Sequence, residues 1–158
     1  RTGVETQAGV RLHEKVLFSG NATISRNKML RDEIGETDLS FSPQLITYSE
    51  LEIRPVKNLK LALSHKYVDK QYLDNSSSES KKIPRYYFVN FAVSYELKNL
   101  FNIDHIQLLF HANNITDRMY STNGWTYSYE NNYGEFVIDN YYYPQAGRNY
   151  MVGLYLKF

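Results

Sequence analysis

The sequence lacks cysteine entirely, contains one tryptophan in 158 residues, and carries a formal net charge of only +1. The absence of thiols excludes a disulfide framework and thiolate metal sites. A net charge this small provides no long-range attraction to nucleic acid, so no nucleic-acid partner is predicted. No apolar run approaches the roughly 18 residues that a membrane-spanning helix needs.

Tyrosine is abundant instead, with 15 residues, and apolar side chains recur at every second position in much of the chain. The final stretch, "YYPQAGRNYMVGLYLKF", shows this most plainly, because Tyr150, Val152, Leu154, Leu156 and Phe158 alternate with other residues. A period of two over about ten residues indicates antiparallel β-strands. Seven such strands are predicted, over residues 3–12, 16–27, 45–54, 59–67, 86–97, 106–113 and 150–158.

Short and long connections alternate between the predicted strands. The short ones are the turns "HEK" and "PVKN" and a link over 98–104, and the long polar ones span 29–43, 75–84 and 121–140. Short turns at one end and long loops at the other are typical of an outer-membrane β-barrel, whose strands of about ten residues cross the bilayer at a tilt. The pattern therefore predicts an all-β fold of about seven antiparallel, up-and-down strands.

Alternation alone does not say which face is buried, so a soluble sandwich or lipocalin-like barrel with an apolar interior is the alternative. Two features favour the membrane barrel. Charged residues stand in the middle of the polar faces, which a wide, wet lumen tolerates, and tyrosines cluster near strand ends, where they suit an interfacial girdle. The charged residues are Glu5, Glu50, Glu52, Lys60 and Lys66.

The end of the chain resembles the C-terminal signal by which the outer-membrane assembly machinery recognises barrel substrates. Gly153, Leu156 and the final Phe158 carry this resemblance. A terminal strand of this kind must pair to close a barrel, so it has a physical reason to keep its alternation to the last residue. The resemblance implies the barrel-assembly machinery as a partner.

Three segments resemble, in order, the C-terminal end of a TonB-dependent outer-membrane receptor of the iron-complex type. The first, "HKYVDKQYLDNSS", is similar to a strand that rises into a polar extracellular loop. The second, "LLFHANNITDRMYSTNGWTYS", resembles the penultimate strand, and its Asn114, Asp117 and Tyr120 match an Asn-x-x-Asp-x-x-Tyr pattern. The third, "YYPQAGRNYMVGLYLKF", resembles the final strand, with Pro144, Gly147 and Arg148 in the family's usual places.

The resemblance implies a barrel of about 22 strands in the bacterial outer membrane, with an N-terminal plug domain inside it and a short box that binds TonB. Neither plug nor box is visible in the sequence, so residues 1–158 are predicted to form one C-terminal barrel segment. Seven strands also cannot close a purely antiparallel ring, which predicts a fragment of a longer protein. The implied partners are outer-membrane lipid, TonB through parts outside this chain, and a small-molecule ligand.

The richest candidate for ligand contact is the predicted loop over 121–140, "STNGWTYSYENNYGEFVIDN". Trp125, Tyr127, Tyr129 and Tyr133 offer rigid aromatic surface with polar edges, which suits recognition of an exposed small molecule. Packing against neighbouring loops and the lipid headgroup region is an equally open interpretation. In the resembled family, ligand contacts come from plug apices and several loops together.

No catalytic residue, metal site or cofactor is predicted. The four histidines are scattered, and none has a carboxylate at ligand spacing. The acidic stretch "RDEIGETD" (31–38) lacks the alternating oxygen ligands and central turn of a calcium loop. No nucleophile elbow, phosphate loop or paired-carboxylate motif stands out.

The resemblance implies that the chain belongs to a receptor for a scarce nutrient, foremost a ferric siderophore, and is not an enzyme. Haem, cobalamin and glycans are the other substrates open at this point. The alternative from a different class is a small β-rich binding or adhesin module, which is soluble or completes its sheet by oligomerising at the cell surface.

Overall fold

The computed structural model describes residues 1–31, 35–100 and 103–158. Strands dominate the described residues, and no helix among them is long and apolar enough to cross a membrane. Within these ranges thirteen strands follow in chain order: β1 (Thr2–His13), β2 (Val16–Arg26), β3 (Lys28–Arg31), β4 (Gly35–Asp38), β5 (Leu45–Ile53), β6 (Leu59–Val68), β7 (Gln71–Tyr72), β8 (Lys82–Ile83), β9 (Tyr86–Leu100), β10 (Ile103–Asn113), β11 (Ser121–Glu130), β12 (Phe136–Pro144) and β13 (Asn149–Lys157).

Seven of these strands form one sheet, in the order β1-β2-β5-β6-β9-β10-β13. Every neighbouring pair is antiparallel. The seven are the seven strands that the alternation predicts, so the all-β, up-and-down prediction is confirmed. β1 and β13 stand at the two edges, and the sheet is open rather than a closed ring.

The register places apolar side chains of all seven strands in continuous rows on one face. One row crosses the whole sheet through directly paired residues: Val10, Phe18, Leu51, Leu63, Phe91, Ala112 and Tyr150. Because successive side chains of a strand point to opposite sides, the neighbouring row is polar and contains Gly9, Ser19, Glu50, Ser64 and Asn90. The two sides are called the apolar face and the polar face below.

The side chains of the apolar face are exposed or half-buried, apart from the buried Ala112. Val152 is 83% exposed, Val4 64% and Leu154 62%. The buried hydrophobic side chains among the described residues are only Val68, Leu73, Ile83 and Ala112. The described residues therefore form no second layer over this face, which a soluble sandwich would require.

The long connections contain more regular structure than the sequence analysis predicts. They hold three two-stranded hairpins, β3–β4, β7–β8 and β11–β12. All lie at the end of the sheet opposite the short turns, which is called the loop end below. Residues 32–34, inside the predicted 29–43 connection, and residues 101 and 102, inside the predicted 98–104 link, lie outside the described residues.

The sequence predicts a loop over 121–140, and this prediction is wrong for the local structure, because the strands β11 and β12 occupy most of the segment. The physical reason is that Trp125, Tyr127 and Tyr129 alternate with the small polar residues Thr126 and Ser128. This is the period of a strand, but the polar partners lower the hydropathy of the segment to that of a loop.

Candidate functional site: an aromatic hairpin on a hydrogen-bonded loop layer

The hairpin β3–β4 and the segment that follows it are fixed to the connection between β7 and β8 by side-chain hydrogen bonds. The backbone N–H of Asp38 donates to Ser77 Oγ at 2.6 Å, and that of Ser40 donates to Asn75 Oδ1 at 2.7 Å. These serine and asparagine side chains satisfy backbone groups of another segment, which orders both segments.

The hairpin β11–β12 rests on the same connection and on β8. Asn140 Nδ2 donates to the Ser80 carbonyl at 2.7 Å, and the Tyr142 hydroxyl donates to the Lys82 carbonyl at 3.0 Å. A Cβ at Gly124 would lie 2.5 Å from the Tyr141 carbonyl and 3.1 Å from a Leu73 methyl group, so the contact requires glycine. The three hairpins and the 73–81 connection thus form one packed unit, called the loop layer.

Ion pairs hold the middle of the loop layer. The carboxylate of Glu79 accepts hydrogen bonds from Lys70, from Lys82 at 2.6 Å and from the Tyr72 hydroxyl at 2.7 Å. These donors, Lys70 first, lower the pKa of Glu79 from 4.5 to about 2. Lys81 pairs with Asp74 at 3.0 Å in the same connection. This network surrounds the buried side chains of Leu73 and Ile83, so ion pairs and a small apolar cluster together define the shape of the β7–β8 hairpin.

Three of the four predicted ligand-contact residues lie on one face of β11. Trp125, Tyr127 and Tyr129 alternate along the strand, and Trp125 and Tyr127 are 47% and 56% exposed. Trp125 stacks on Tyr141 of β12, with ring centroids 4.6 Å apart and planes inclined by 10°. Tyr127 and Tyr129 stack at 5.6 Å. Together with Tyr143 these residues form a continuous exposed ridge, called the aromatic ridge.

The fourth predicted residue, Tyr133, is separate from the ridge. It lies in the turn between β11 and β12 and is 90% exposed. Its N–H donates to Asn131 Oδ1 at 2.9 Å, and Gly134 follows with a φ of +77°. The structure adds Tyr141 and Tyr143 to the residues beside Trp125. Their alternation in "DNYYYP" is the signal that could have found them.

The segment that starts at Asn114 fastens the end of β10 to the approach to β13. Asn114 is 3% exposed. Its Nδ2 donates to the carbonyls of Arg118 at 2.9 Å and Ala146 at 3.3 Å, and its Oδ1 accepts from the Arg118 N–H at 3.1 Å. Its own N–H donates to Asn90 Oδ1 at 2.9 Å. Asn114 has a φ of +49°, a conformation that asparagine tolerates better than most residues.

Asp117 makes the second fastening. Its Oδ1 accepts from the Arg148 N–H at 2.8 Å, and its Oδ2 lies 3.7 Å from the Arg148 guanidinium. A Cβ at Gly147 would lie 3.0 Å from Asp117 Oδ1, so the close approach favours a residue without a side chain. The residues of the predicted Asn-x-x-Asp-x-x-Tyr pattern therefore hold two segments of the loop end together.

Tyr120 completes this segment by packing on the polar face of β9. Its ring stacks on Tyr86 at 4.9 Å and on Phe88 at 5.3 Å, and burial raises the pKa of its hydroxyl. Beside it opens a cleft of about 550 Å³ that two arginines, Arg85 and Arg118, also line. Aromatic rings and guanidinium groups in one cleft suit a ligand that is both flat and anionic.

The three residues of the predicted assembly signal lie in or next to β13. Gly153 faces Leu109 of β10, and Leu156 pairs with Ile106 on the apolar face. Phe158 follows the end of the strand and is 81% exposed.

The acidic stretch 31–38 forms ion pairs where the structure describes it. Arg26 contacts both oxygens of Glu36, at 3.0 and 2.8 Å, and Lys28 lies 2.8 Å from Asp38. Asp32 and Glu33 lie outside the described residues. In the described part of the chain, no three acidic or histidine side chains group as metal ligands would.

Comparison by sequence finds no matching family model and no matching curated protein. Comparison by structure finds extensive similarity. The siderophore receptor PiuA from Acinetobacter baumannii matches 96% of this chain with a TM-score of 0.69 and 18% identity. The ferric yersiniabactin uptake receptor FyuA from Yersinia pestis also matches 96%, with a TM-score of 0.67 and 18% identity.

This chain covers 21% of PiuA and 22% of FyuA, so it spans about a fifth of the length of the receptors that it matches. At this identity the likeness establishes the fold, and the resemblance noted in the sequence is confirmed at that level. The chain has the fold of a β-barrel segment of a siderophore receptor, present as an open seven-stranded sheet with a loop layer at one end.

Proposed function

We propose that this chain is the C-terminal segment of a TonB-dependent receptor in the bacterial outer membrane, and that the receptor takes up a ferric siderophore. The match to two siderophore receptors over 96% of the chain carries the proposal. Seven strands would supply roughly a third of a 22-stranded wall. The remaining strands, the plug and the contact with TonB would come from parts of the protein outside this chain.

The two faces of the sheet support this role. An exposed apolar face made of rows that cross seven strands is what lipid requires on the outside of a barrel. The polar face carries Glu50, Lys60 and Lys66, which fit a lumen filled by water and a plug. Several strands have nine to eleven residues, among them β5, β10 and β13, and this length spans a bilayer at a tilt.

Within the receptor, the chain acts by binding rather than by catalysis. Trp125, Tyr127 and Tyr129 of the aromatic ridge, with Tyr133 at the hairpin tip, contact the small-molecule ligand as it arrives from outside. Flat, exposed rings that are already stacked on one another lose little conformational entropy when a flat ligand packs on them. Before ligand binding, while the receptor is being inserted into the outer membrane, the barrel-assembly machinery recognises Gly153, Leu156 and Phe158.

Uptake in the source bacterium tests the proposal. The gene is deleted and replaced by the full-length wild type, by a W125A/Y127A/Y129A variant, or by the control Y95A, an aromatic on the apolar face. The deletion should abolish growth on one ferric siderophore as sole iron source, and the wild type and Y95A should restore it. The triple variant should weaken siderophore binding by at least about tenfold.

The two parts of the proposal fail separately. A deletion strain that takes up every ferric siderophore tested as well as the parent would refute the transport function. Restored transport with unchanged affinity in the triple variant would instead leave transport standing and remove the aromatic ridge from the binding site.

A further inference from the structure

We propose that the aromatic ridge recognises a positively charged group of its ligand, so that the siderophore carries a protonated amine that takes no part in binding iron. Asp139 of β12, on the same face of the hairpin as the ridge, supplies the negative charge of this site. The inference rests on the proposed function, because it names the chemical class of that function's ligand. It goes further by requiring a charge, which stacked rings alone do not.

The register of the hairpin places Asp139 in the middle of the ridge. Asp139 pairs directly with Tyr127, and the next pair on the same face is Trp125 with Tyr141. The Cβ atoms of directly paired residues lie about 5 Å apart, so the carboxylate stands beside Tyr127 and next to Tyr141 along β12. The two ring stacks of the ridge therefore meet at Asp139.

Asp139 is half-buried, and its carboxylate has no partner in the described ranges 1–31, 35–100 and 103–158. It forms no ion pair there, and the hydrogen bonds of the hairpin use other side chains. A charge withdrawn from water is normally paired, so this carboxylate is open to a cation from a ligand. Other carboxylates at the loop end do form ion pairs, namely Glu36, Asp38, Asp74, Glu79 and Asp117.

The hairpin as a whole is negative. Residues 119–147 contain no Lys, Arg or His but do contain Glu130, Glu135 and Asp139. Two lysines beneath the hairpin do not neutralise it, because each already pairs with a carboxylate. The pairs are Lys81 with Asp74 and Lys82 with Glu79. The hairpin therefore attracts cations and repels anions over about 8 Å at physiological salt.

The rings beside Asp139 favour a cation over a neutral group. The face of a Tyr or Trp ring attracts a cation within about 6 Å of its centre. An alkylammonium group would donate hydrogen bonds to Asp139 and pack its charged body on Tyr127 or Tyr141. The same chemistry occurs within this chain, where the Arg118 guanidinium lies 4.0 Å from the centre of the Tyr87 ring. A neutral flat ligand would leave the carboxylate unpaired.

The cleft beside Tyr120 is a different site of opposite charge. It is lined by Arg85, Arg118 and Tyr142. Tyr142 stands three positions after Asp139 in β12, so the two side chains point to opposite faces of the hairpin. The arginines of the cleft would repel an ammonium group. A cationic part of the ligand is therefore directed to the ridge, and an anionic part to the cleft.

A probe that does not depend on uptake tests the charge preference first. The full-length gene product, in the uncharged detergent dodecyl maltoside, is titrated with choline and with its neutral isostere, in which a tert-butyl group replaces trimethylammonium. Saturation-transfer NMR gives both affinities. The variant D139N is compared with D104N, which removes an exposed carboxylate at the turn end of β10. Both variants should keep the shift in electrophoretic mobility on heating that marks a folded barrel.

The wild type and D104N should bind choline about fivefold more tightly than the neutral isostere, and D139N should lose most of this preference. The siderophore whose uptake is abolished by deletion of the gene is tested next. It should carry a free amine. Acetylation, which removes the charge but leaves the iron ligands, should weaken its binding to the wild type by about tenfold and to D139N by only about threefold.

Equal binding of choline and its isostere by the wild type would overturn the inference in favour of a neutral ligand such as a sugar. An unchanged choline preference in D139N would also overturn it, as would a siderophore without a basic group or one that acetylation leaves equally tight. A choline preference that D139N abolishes, in a protein whose deletion leaves the uptake of every siderophore intact, would refute transport and leave the cation site standing.

Discussion

The seven-stranded sheet and the loop layer are stabilised by different interactions. In the sheet, apolar side chains such as Val152 and Leu154 are exposed, and the order comes from backbone ladders that run the length of each strand. In the loop layer, single side chains such as Asn75 and Ser77 hold neighbouring segments by accepting a hydrogen bond from a backbone N–H of another segment. The sheet is thus a repetitive structure whose exposed face requires a suitable solvent, whereas the loop layer depends on individual residues.

This difference predicts unequal stability. Thr126 Oγ1, Ser128 Oγ and Asn140 Oδ1, on one face of the β11–β12 hairpin, are buried without a hydrogen-bond partner among the described residues. Each such atom costs on the order of 1–3 kcal/mol. The hairpin should therefore open at a lower free energy than the sheet does. Opening of this hairpin would expose the 73–81 connection beneath it without unfolding the seven-stranded sheet.

The largest effect is expected from a charge placed on the apolar face. Val152→Arg puts a guanidinium where we expect hydrocarbon, and it should destabilise the protein in lipid vesicles by about 2–4 kcal/mol. Met151→Arg is the matched control, because Met151 is the preceding residue of β13, is also well exposed, and faces the polar side opposite His111. Denaturant midpoints in vesicles measure both. Equal midpoints for the two variants would mean that the apolar face does not meet lipid.

A single residue of the loop end should come next. Asn114→Ala removes three side-chain hydrogen bonds to Arg118 and Ala146 and puts alanine at a φ of +49°. The free energy of unfolding should fall by about 2–3 kcal/mol. Asn113→Ala, which removes one bond to Asn149, should cost roughly 1 kcal/mol or less. Similar losses in the two variants would show that Asn114 does not fasten the segments as its contacts indicate.

The contrast between the two regions also explains what the sequence could predict. Alternation repeats over whole strands, so errors at single residues do not change the result, and all seven strands of the sheet were predicted. Alternation does not show whether the apolar face points outward or inward. Charged residues in the middle of the opposite face, such as Glu50 and Lys60, are what favour an outward apolar face. The resemblance in Asn114, Asp117 and Tyr120 located the fastening at the loop end but not its hydrogen bonds.

The aromatic site was only partly predictable for the same reason. Composition alone indicates Trp125, Tyr127 and Tyr129, whereas their shared face follows from the strand β11, where the sequence predicts a loop. Tyr141 joins them only because β12 pairs with β11 in a particular register. That register depends on the turn at Gly134 and on contacts with the 73–81 connection, which lie outside any local pattern.

A smaller effect, confined to the loop layer, is expected at Gly124. Gly124→Ala forces the new Cβ against the Tyr141 carbonyl and a Leu73 methyl group. This should cost about 1–2 kcal/mol and act on the hairpin rather than on the sheet. Gly9→Ala is the control, because its Cβ would meet nothing nearer than 3.8 Å. Amide hydrogen exchange should accelerate in β11 and β12 for Gly124→Ala alone. Unchanged exchange in these strands would show that the hairpin does not pack on Leu73 as described.

The smallest effect is a pH dependence within the loop layer. The pKa of Glu79 is lowered from 4.5 to about 2 by hydrogen bonds from Lys70, Lys82 and Tyr72. A lowered folded-state pKa means that the stabilising contribution is complete above pH 4.5 and is lost as the pH falls from 4.5 towards 2. Since Glu79 is exposed, solvent screens this contribution and the sheet should not respond.

A carboxyl-carbon NMR titration of Glu79 measures this directly, with the Leu73 amide, which donates to the Lys81 carbonyl at 2.9 Å, as reporter of the hairpin. Both signals should change with a midpoint of about 2. Lys70→Ala should move the Glu79 midpoint up towards 4.5, and Glu79→Gln should remove the Glu79 contribution to the Leu73 signal, leaving only that of the adjacent Asp74. A wild-type midpoint at 4.5 would show that the three donors leave Glu79 free in solution, and the loop layer would then depend on its neutral hydrogen bonds alone.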